Sequence, residues 1–325
     1  MSPSFTGIHS HAAGAATGTD QDQQCGRVDA PHATECSHAD HHLLPQTFMT
    51  TPSPSVEGFL TQFHNSRPGL SSKAFGSRPL SLRGQVYAST YDLLASAVTN
   101  ENESALDLAC GDGFLLARLG SHVNQDLALF GLDMSAGELA LAALRLGKTA
   151  SLLVGRAQSL PYRASQFDLV LCHMALMLMH DPAAVRSEVR RTLKSGGKFA
   201  GVVGASPPPS PTRSRYLQAL SRCARDPQWE TVQLGEPRLR TREGLVNFLS
   251  EEFSDVVVED LHLPLRLAPE ELWSWLSDMY DLYLLRPQDR DAVKDELLGS
   301  ISSDCSADGR IEFPLSMRYF HATAK

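Results

Sequence analysis

Two glycines and two aspartates carry the first chemical signal in this sequence. In Leu106-Asp107-Leu108-Ala109-Cys110-Gly111-Asp112-Gly113-Phe114-Leu115-Leu116, an apolar run ends in a Gly-x-Gly turn and helix-forming residues follow. A strand, a tight glycine turn and a helix start bring bare backbone N–H groups close to a nucleotide-like ligand. Asp133 closes the next apolar run, 127–132, where a carboxylate can accept hydrogen bonds from ribose hydroxyls. Further on, His173 sits in Cys172-His173-Met174 at the end of another apolar run, and His262 ends a later one. A histidine in such a place can take a proton from an acceptor oxygen, nitrogen or carbon near neutral pH. Two imidazoles with open positions can instead hold a divalent metal, zinc or iron, that stabilises an enolate. His173 and His262 are the histidine pair expected to converge.

The elements that must position these groups alternate short apolar runs with helical stretches, the pattern of a parallel sheet covered on both faces. Strands are predicted at 105–109, 127–132, 151–154, 167–172 and 198–204, with helices at about 114–121, 136–147 and 182–194. Lys194-Ser195-Gly196-Gly197 reads as a helix stop before the fifth strand. Ser206-Pro207-Pro208-Pro209-Ser210-Pro211 then leads out of the sheet, 212–250 is helical in outline, 253–263 is a sixth strand and 311–324 a last one. The spacing of Val86, Tyr87, Tyr91, Leu94 and Val98 predicts a helix over 82–98 that lays Tyr87 or Tyr91 over the ligand, or packs both in the core. A second helix is predicted over 269–285. Its Trp273, Trp275, Asp278, Tyr280, Asp281 and Tyr283 can cage a cationic acceptor, or make an ordinary cap with an acidic face. Arg266 and Arg318 can clamp an acceptor carboxylate or serve the surface.

Residues 1–77 read as a disordered His/Ser/Pro-rich tail, with six of the twelve histidines before residue 43. Cys36-Ser-His38-Ala-Asp-His41-His42 resembles a metal-binding tract only in composition. A net charge of −8 and the lack of a Lys/Arg run argue against a nucleic-acid partner. The six cysteines form no Cys-x-x-Cys pair, which points to a reducing compartment. The longest apolar run, 169–179, is too short for a bilayer, so a cytoplasmic chain with no membrane partner is expected. Oligomeric state is not legible.

Over 78–325 the chain resembles the class I S-adenosylmethionine (SAM)-dependent methyltransferases, here of the small-molecule kind. Asp107 to Gly113 is similar to the family's glycine motif, and Gly131-Leu132-Asp133-Met134-Ser135 to its ribose-binding strand end. Gly155-Arg156-Ala157-Gln158-Ser159-Leu160-Pro161-Tyr162 is similar to the adenine-side loop, and Phe167–Leu171 and Leu193–Phe199 to the fourth strand and the turn before the fifth. The resemblance implies a Rossmann-like α/β fold: a seven-stranded sheet with helices on both faces and a helical cap from about 206–250 and 264–310. It implies SAM as donor, held by Ala109, Gly111 and Gly113 with Asp107 orienting the turn, by Asp133 and Met134 at the ribose, by Ala157 and Gln158 at the adenine, and by Cys172. Arg156 departs from the pattern, because many relatives have Asp there. Cys172–Met179 also resembles natural-product enzymes that methylate the β-carbon of 2-oxo acids through a metal-held enolate. The alternatives are a metal-free O- or N-methyltransferase with His173 as base and, more remotely, a non-catalytic SAM-binding protein. A nicotinamide-binding domain is disfavoured, since position 116 is Leu where its fingerprint needs Gly.

Overall fold

A computed structural model describes residues 55–122, 127–225 and 234–325. The expectations for the tail before residue 55, including the Cys36–His42 tract, lie outside the described residues.

Among the described residues, seven strands form one sheet in the order β5-β4-β3-β6-β7-β9-β8. They are β3 (Ser104–Leu108), β4 (Ala128–Asp133), β5 (Ala150–Val154), β6 (Phe167–His173), β7 (Leu193–Ala205), β8 (Phe253–Leu267) and β9 (Ile311–Ala324). The first five pair in parallel, and β9 runs antiparallel to both β7 and β8. Helices α4 (Phe114–His122), α5 (Ala136–Leu146) and α6 (Pro182–Thr192) connect the parallel strands. Burial on both faces explains why β3 and β6 read as near-continuous apolar runs: Leu106, Leu108, Val170 and Leu171 are fully buried. The Rossmann-like α/β expectation holds.

The β8–β9 pair outruns its neighbours. Ala205 ends β7 opposite Ser316, whereas β8 and β9 continue pairing to Leu267 and Ile311. This extension carries α9 (Pro269–Ser277), α10 (Tyr280–Tyr283) and α11 (Pro287–Ile301) beyond the carboxyl edge of the sheet. With α7 (Pro211–Cys223), which packs on α11, they form the cap.

Three local expectations are overturned. Order extends into the expected tail: α1 (Val56–Ser66) and α2 (Leu70–Phe75) precede residue 78. Ser55 caps α1 by accepting from Gly58 N at 3.1 Å, and Phe59, Leu60 and Phe63 bury one face. Phe63 packs edge-on against Tyr280 and Tyr283, with centroids 4.7 and 4.8 Å away. Residues 82–98 are not one helix but a hairpin, β1 (Leu80–Leu82) and β2 (Gln85–Tyr87), followed by α3 (Thr90–Ala95). Arg83 and Gly84 both have positive φ, 51° and 79°, as a two-residue hairpin turn requires, and Val86 is exposed rather than on a buried face. Finally, the predicted helix over 269–285 is broken into α9 and α10 between Ser277 and Tyr280.

Candidate active site

The glycine turn is built as its sequence demands. Ala109, Gly111 and Gly113 have φ of 59°, 52° and 73°, so the chain leaves β3 through left-handed conformations. Gly113 also lacks room for a side chain, because a Cβ there would lie 2.7 Å from Leu146 Cδ1 and 3.1 Å from Ala142 Cβ. Its place is packing of the turn against α5. Ala109 and Met174 are non-glycine residues in a costly conformation, and both line one cleft across the ends of β3 and β6.

That cleft, about 930 Å³ with its open mouth, gathers many of the sequence candidates. Asp107, Ala109, Cys110, Asp133, Met134, Ala157, Gln158 and His173 all line it, as do Tyr91 and Tyr280. Asp133 is nearly buried; its Oδ2 accepts from Gly111 N at 2.9 Å and its Oδ1 from Ser135 N at 2.8 Å. Each oxygen keeps a second lone pair for a further donor. Burial raises the Asp133 pKa, and these two N–H groups oppose the rise. Asp107 is buried with Oδ2 lacking any partner, and desolvation, then Asp133 and Asp112, push its pKa well up. An orphaned acceptor beside a glycine turn suits an incoming cation or N–H donor.

His173 is buried between Phe75 and Tyr91, whose ring stacks on it at 3.7 Å. Its Nε2 lies 2.8 Å from Thr90 Oγ1, and its Nδ1 has no partner. Desolvation lowers its pKa to about 3. This corrects the expectation of a base titrating near neutral pH: the imidazole is neutral and poorly basic, because nothing nearby compensates a buried charge.

The His173–His262 metal pair is also corrected. His262 is at the expected end of the sheet, opposite Ser316, but on edge strand β8, exposed and three strands from β6. At about 4.8 Å per strand the two are roughly 14 Å apart across the sheet. Among the described residues, no group of three or more His, Cys, Asp or Glu is placed to hold a metal ion. His321 pairs opposite Ala200, toward the other end from Ala205.

Other candidates fall outside the cleft. Cys172 is buried behind it, its thiol pushed up to about 12 by desolvation. Tyr87 sits on the β1–β2 hairpin. Arg266 is exposed and bonded to Asp308 at 3.0 Å, and Arg318 pairs with Asp260 at 2.8 Å. Trp273 is half-buried and packed on the core away from the cleft. Asp278 is engaged by Lys73 at 2.7 Å, and Asp281 is buried within the cap.

Sequence reasoning missed the contribution of α1 and α2. Glu57, Leu60, His64 and Ser71 line the cleft. Glu57 accepts from Gln158 Nε2 at 2.7 Å and pairs with Arg156 at 2.5 Å, so an acid reaches the adenine-side loop from another element. His64 lies 2.9 Å from both Glu138 Oε1 and Tyr280 Oη, tying the helix to α5 and the cap. Asn65 Oδ1 accepts from Ser135 Oγ and Gly137 N, Gly69 N donates to Glu138, and Ser72 Oγ donates to Asp112 at 2.6 Å. The legible signal was Ser55 followed by Val56, Phe59, Leu60 and Phe63 at helical spacing.

Comparison with known proteins agrees with this geometry. A family model described as a methyltransferase domain matches residues 106–201. That match takes in the glycine turn, Asp133 and most of β3 to β7, and the sheet has the Rossmann-like methyltransferase fold. Demethylmenaquinone methyltransferase of Oceanobacillus iheyensis is 34% identical over 110 residues, 32% of this chain and 46% of that protein. The chain thus spans about half the length of that relative. An uncharacterized methyltransferase of Schizosaccharomyces pombe, C70.08c, is 27% identical over 233 residues, covering 68% of this chain and 86% of that one. The crystal structure of the [4+2]-cyclase SpnF superposes with a TM-score of 0.52 at 17% identity, covering 84% of this chain and 98% of that chain. That likeness is one of fold alone.

Proposed function

We propose that this chain binds SAM in the cleft between β3, β4 and β6 and transfers its methyl group to a small molecule. The observation that carries the reading is the orphaned Asp107 Oδ2 beside the left-handed glycine turn, with Asp133 fixed at the next strand end. When bound, SAM supplies an electrophilic methyl on a sulfonium sulfur. Asp107 would accept from the ammonium of its amino-acid part. Asp133, held by Gly111 and Ser135, would accept from the ribose hydroxyls. Ala157 and Met134 would flank the adenine, and Glu57 would supply the acceptor that position 156 lacks. Tyr280 and Tyr91 would help exclude water.

The acceptor would meet His173 Nδ1 at the end of β6. A neutral imidazole of low basicity accepts a hydrogen bond but does not carry off a proton readily. The acceptor must therefore be nucleophilic largely by itself, and the residues contribute orientation and proximity. This supports the metal-free alternative over a metal-held enolate, whose two-histidine basis is lost with His262 on the sheet edge. A 2-oxo acid methylated at carbon, in natural-product biosynthesis, stays within the reading only as an acceptor that enolises unaided.

The test is incubation with methyl-labelled SAM and separate panels of small organic acids, phenols and amines, followed by mass analysis. Label in a small molecule, lost in Asp107→Asn and Asp133→Ala, is expected. Label confined to protein or nucleic acid would overturn the proposal.

A further inference from the structure

Arg213, on α7 of the cap, is 8% exposed. Its backbone N–H donates to Ser210 Oγ, but among the described residues its guanidinium makes no hydrogen bond and no ion pair. The buried Asp281 carboxylate acts on it through charge, against the desolvation that lowers its pKa, but makes no hydrogen bond to it, so the guanidinium N–H groups still lack acceptors in a buried place. It faces a small cavity whose lining includes Gly204, Ala205, Trp275, Met279 and Ser316 and no carboxylate side chain. Trp275 Nε1–H is buried without a partner at the same cavity. Tyr216 Oη, electrostatically felt by Arg213, is a third buried group lacking a partner. Two donors, Arg213 and Trp275, therefore line the cavity without hydrogen-bond acceptors, while Asp281 acts on Arg213 and Tyr216 only through charge.

The cavity lies where an acceptor would need it. Gly204 and Ala205 end β7, and Ser316 lies across from Ala205 on β9, at the carboxyl edge of the sheet. Met279 also lines a narrow, mostly apolar gap with Phe75, Met174 and Asp278, and that gap shares His64, Ser71, Met174 and Tyr280 with the SAM cleft. The space around Arg213 suits one small polar group, which favours a planar carboxylate that a guanidinium can fork.

We propose that this cavity anchors the carboxylate of the methyl acceptor. Arg213 and Trp275 Nε1–H bind the anion, and an apolar body runs past Met279 and Met174 toward His173. The identity of the reacting end rests on the methyltransferase reading; the anion site does not.

Calorimetric titration of the full chain tests this. The probes are 3-phenylpropanoate, octanoate, their neutral amides and phenethyl phosphate, each with and without S-adenosylhomocysteine. The carboxylates should bind about tenfold or more tighter than their amides. Arg213→Met should erase that difference, Arg213→Lys should keep part of it, and Trp275→Phe should weaken the carboxylates alone. If Arg213→Met fails to fold, the wild-type acid-to-amide ratio and Trp275→Phe decide. Amides binding as tightly as acids, no carboxylate binding at millimolar concentration, or a preference surviving Arg213→Met would overturn the site. Tighter binding of phenethyl phosphate would overturn its assignment to a carboxylate. Failure of S-adenosylhomocysteine to bind would sink the methyltransferase reading and leave the anion result standing.

Discussion

The buried His173 makes stability depend on pH in a calculable way. Unfolded, its imidazole titrates near 6.5; folded, desolvation holds it at about 3. Above pH 6.5 both states are neutral there, and the residue contributes no pH dependence. As pH falls, the unfolded chain takes up the proton first, so stability is lost below 6.5 and the loss is complete near the folded pKa. The gap corresponds to about 5 kcal/mol in full, of which about 2 kcal/mol is already lost at pH 5. His173→Gln offers a non-titrating amide that can still reach Thr90 Oγ1, now 2.8 Å from the imidazole. Urea unfolding of both proteins at pH 7.5 and 5.0 isolates the effect, since other titrations cancel in the difference. Relative to the variant, the wild type should lose about 2 kcal/mol between the two conditions. A pH-independent difference, or an imidazole titrating near 6.5 in the folded protein by NMR, would refute the reasoning.

Asp133→Ala should weaken S-adenosylhomocysteine binding roughly 10- to 100-fold by calorimetry, from lost hydrogen bonds to a charged acceptor; unchanged affinity would place the ribose elsewhere. Glu57→Gln should weaken the same ligand about tenfold while sparing its inosine-based analogue, if Glu57 accepts from the adenine amino group. Phe63→Ala should cost about 3–5 kcal/mol in urea unfolding, because Phe63 is buried against Tyr280 and Tyr283. A cost below about 1 kcal/mol would mean that α1 is not docked. His262→Ala, on the exposed edge, should leave S-adenosylhomocysteine binding and melting temperature unchanged; a loss of either would reinstate a role for that histidine.

The parallel sheet was legible because its strands are buried on both faces, and runs such as 167–172 have no other stable use in a chain of this composition. The turn beside the cleft was legible for a related reason: Gly111, Gly113 and Asp133 are placed by local backbone geometry that spacing encodes. What failed depended on distance across the fold. The pairing of His173 with His262 assumed that two strand ends meet, but strand order placed β7 and β9 between them. Residues 82–98 kept a helical spacing of apolar side chains, yet Arg83-Gly84 made a hairpin turn that the spacing could not reveal. Glu57, about a hundred residues earlier in the chain, reaches the loop at 156–158 through a tertiary contact that spacing does not encode. Basicity at His173 was misjudged because residue type gives the ordinary pKa, whereas burial against Tyr91 and Phe75 sets the actual one.

The central claim is that the glycine-turn cleft takes the SAM scaffold. Calorimetric titration of the full chain with S-adenosylhomocysteine and, separately, with NAD tests it most directly. One-to-one binding of S-adenosylhomocysteine, weakened in Asp107→Asn and in Asp133→Ala, with no heat from NAD, is the predicted result. Binding of NAD in its place, or S-adenosylhomocysteine binding indifferent to both aspartates, would contradict it.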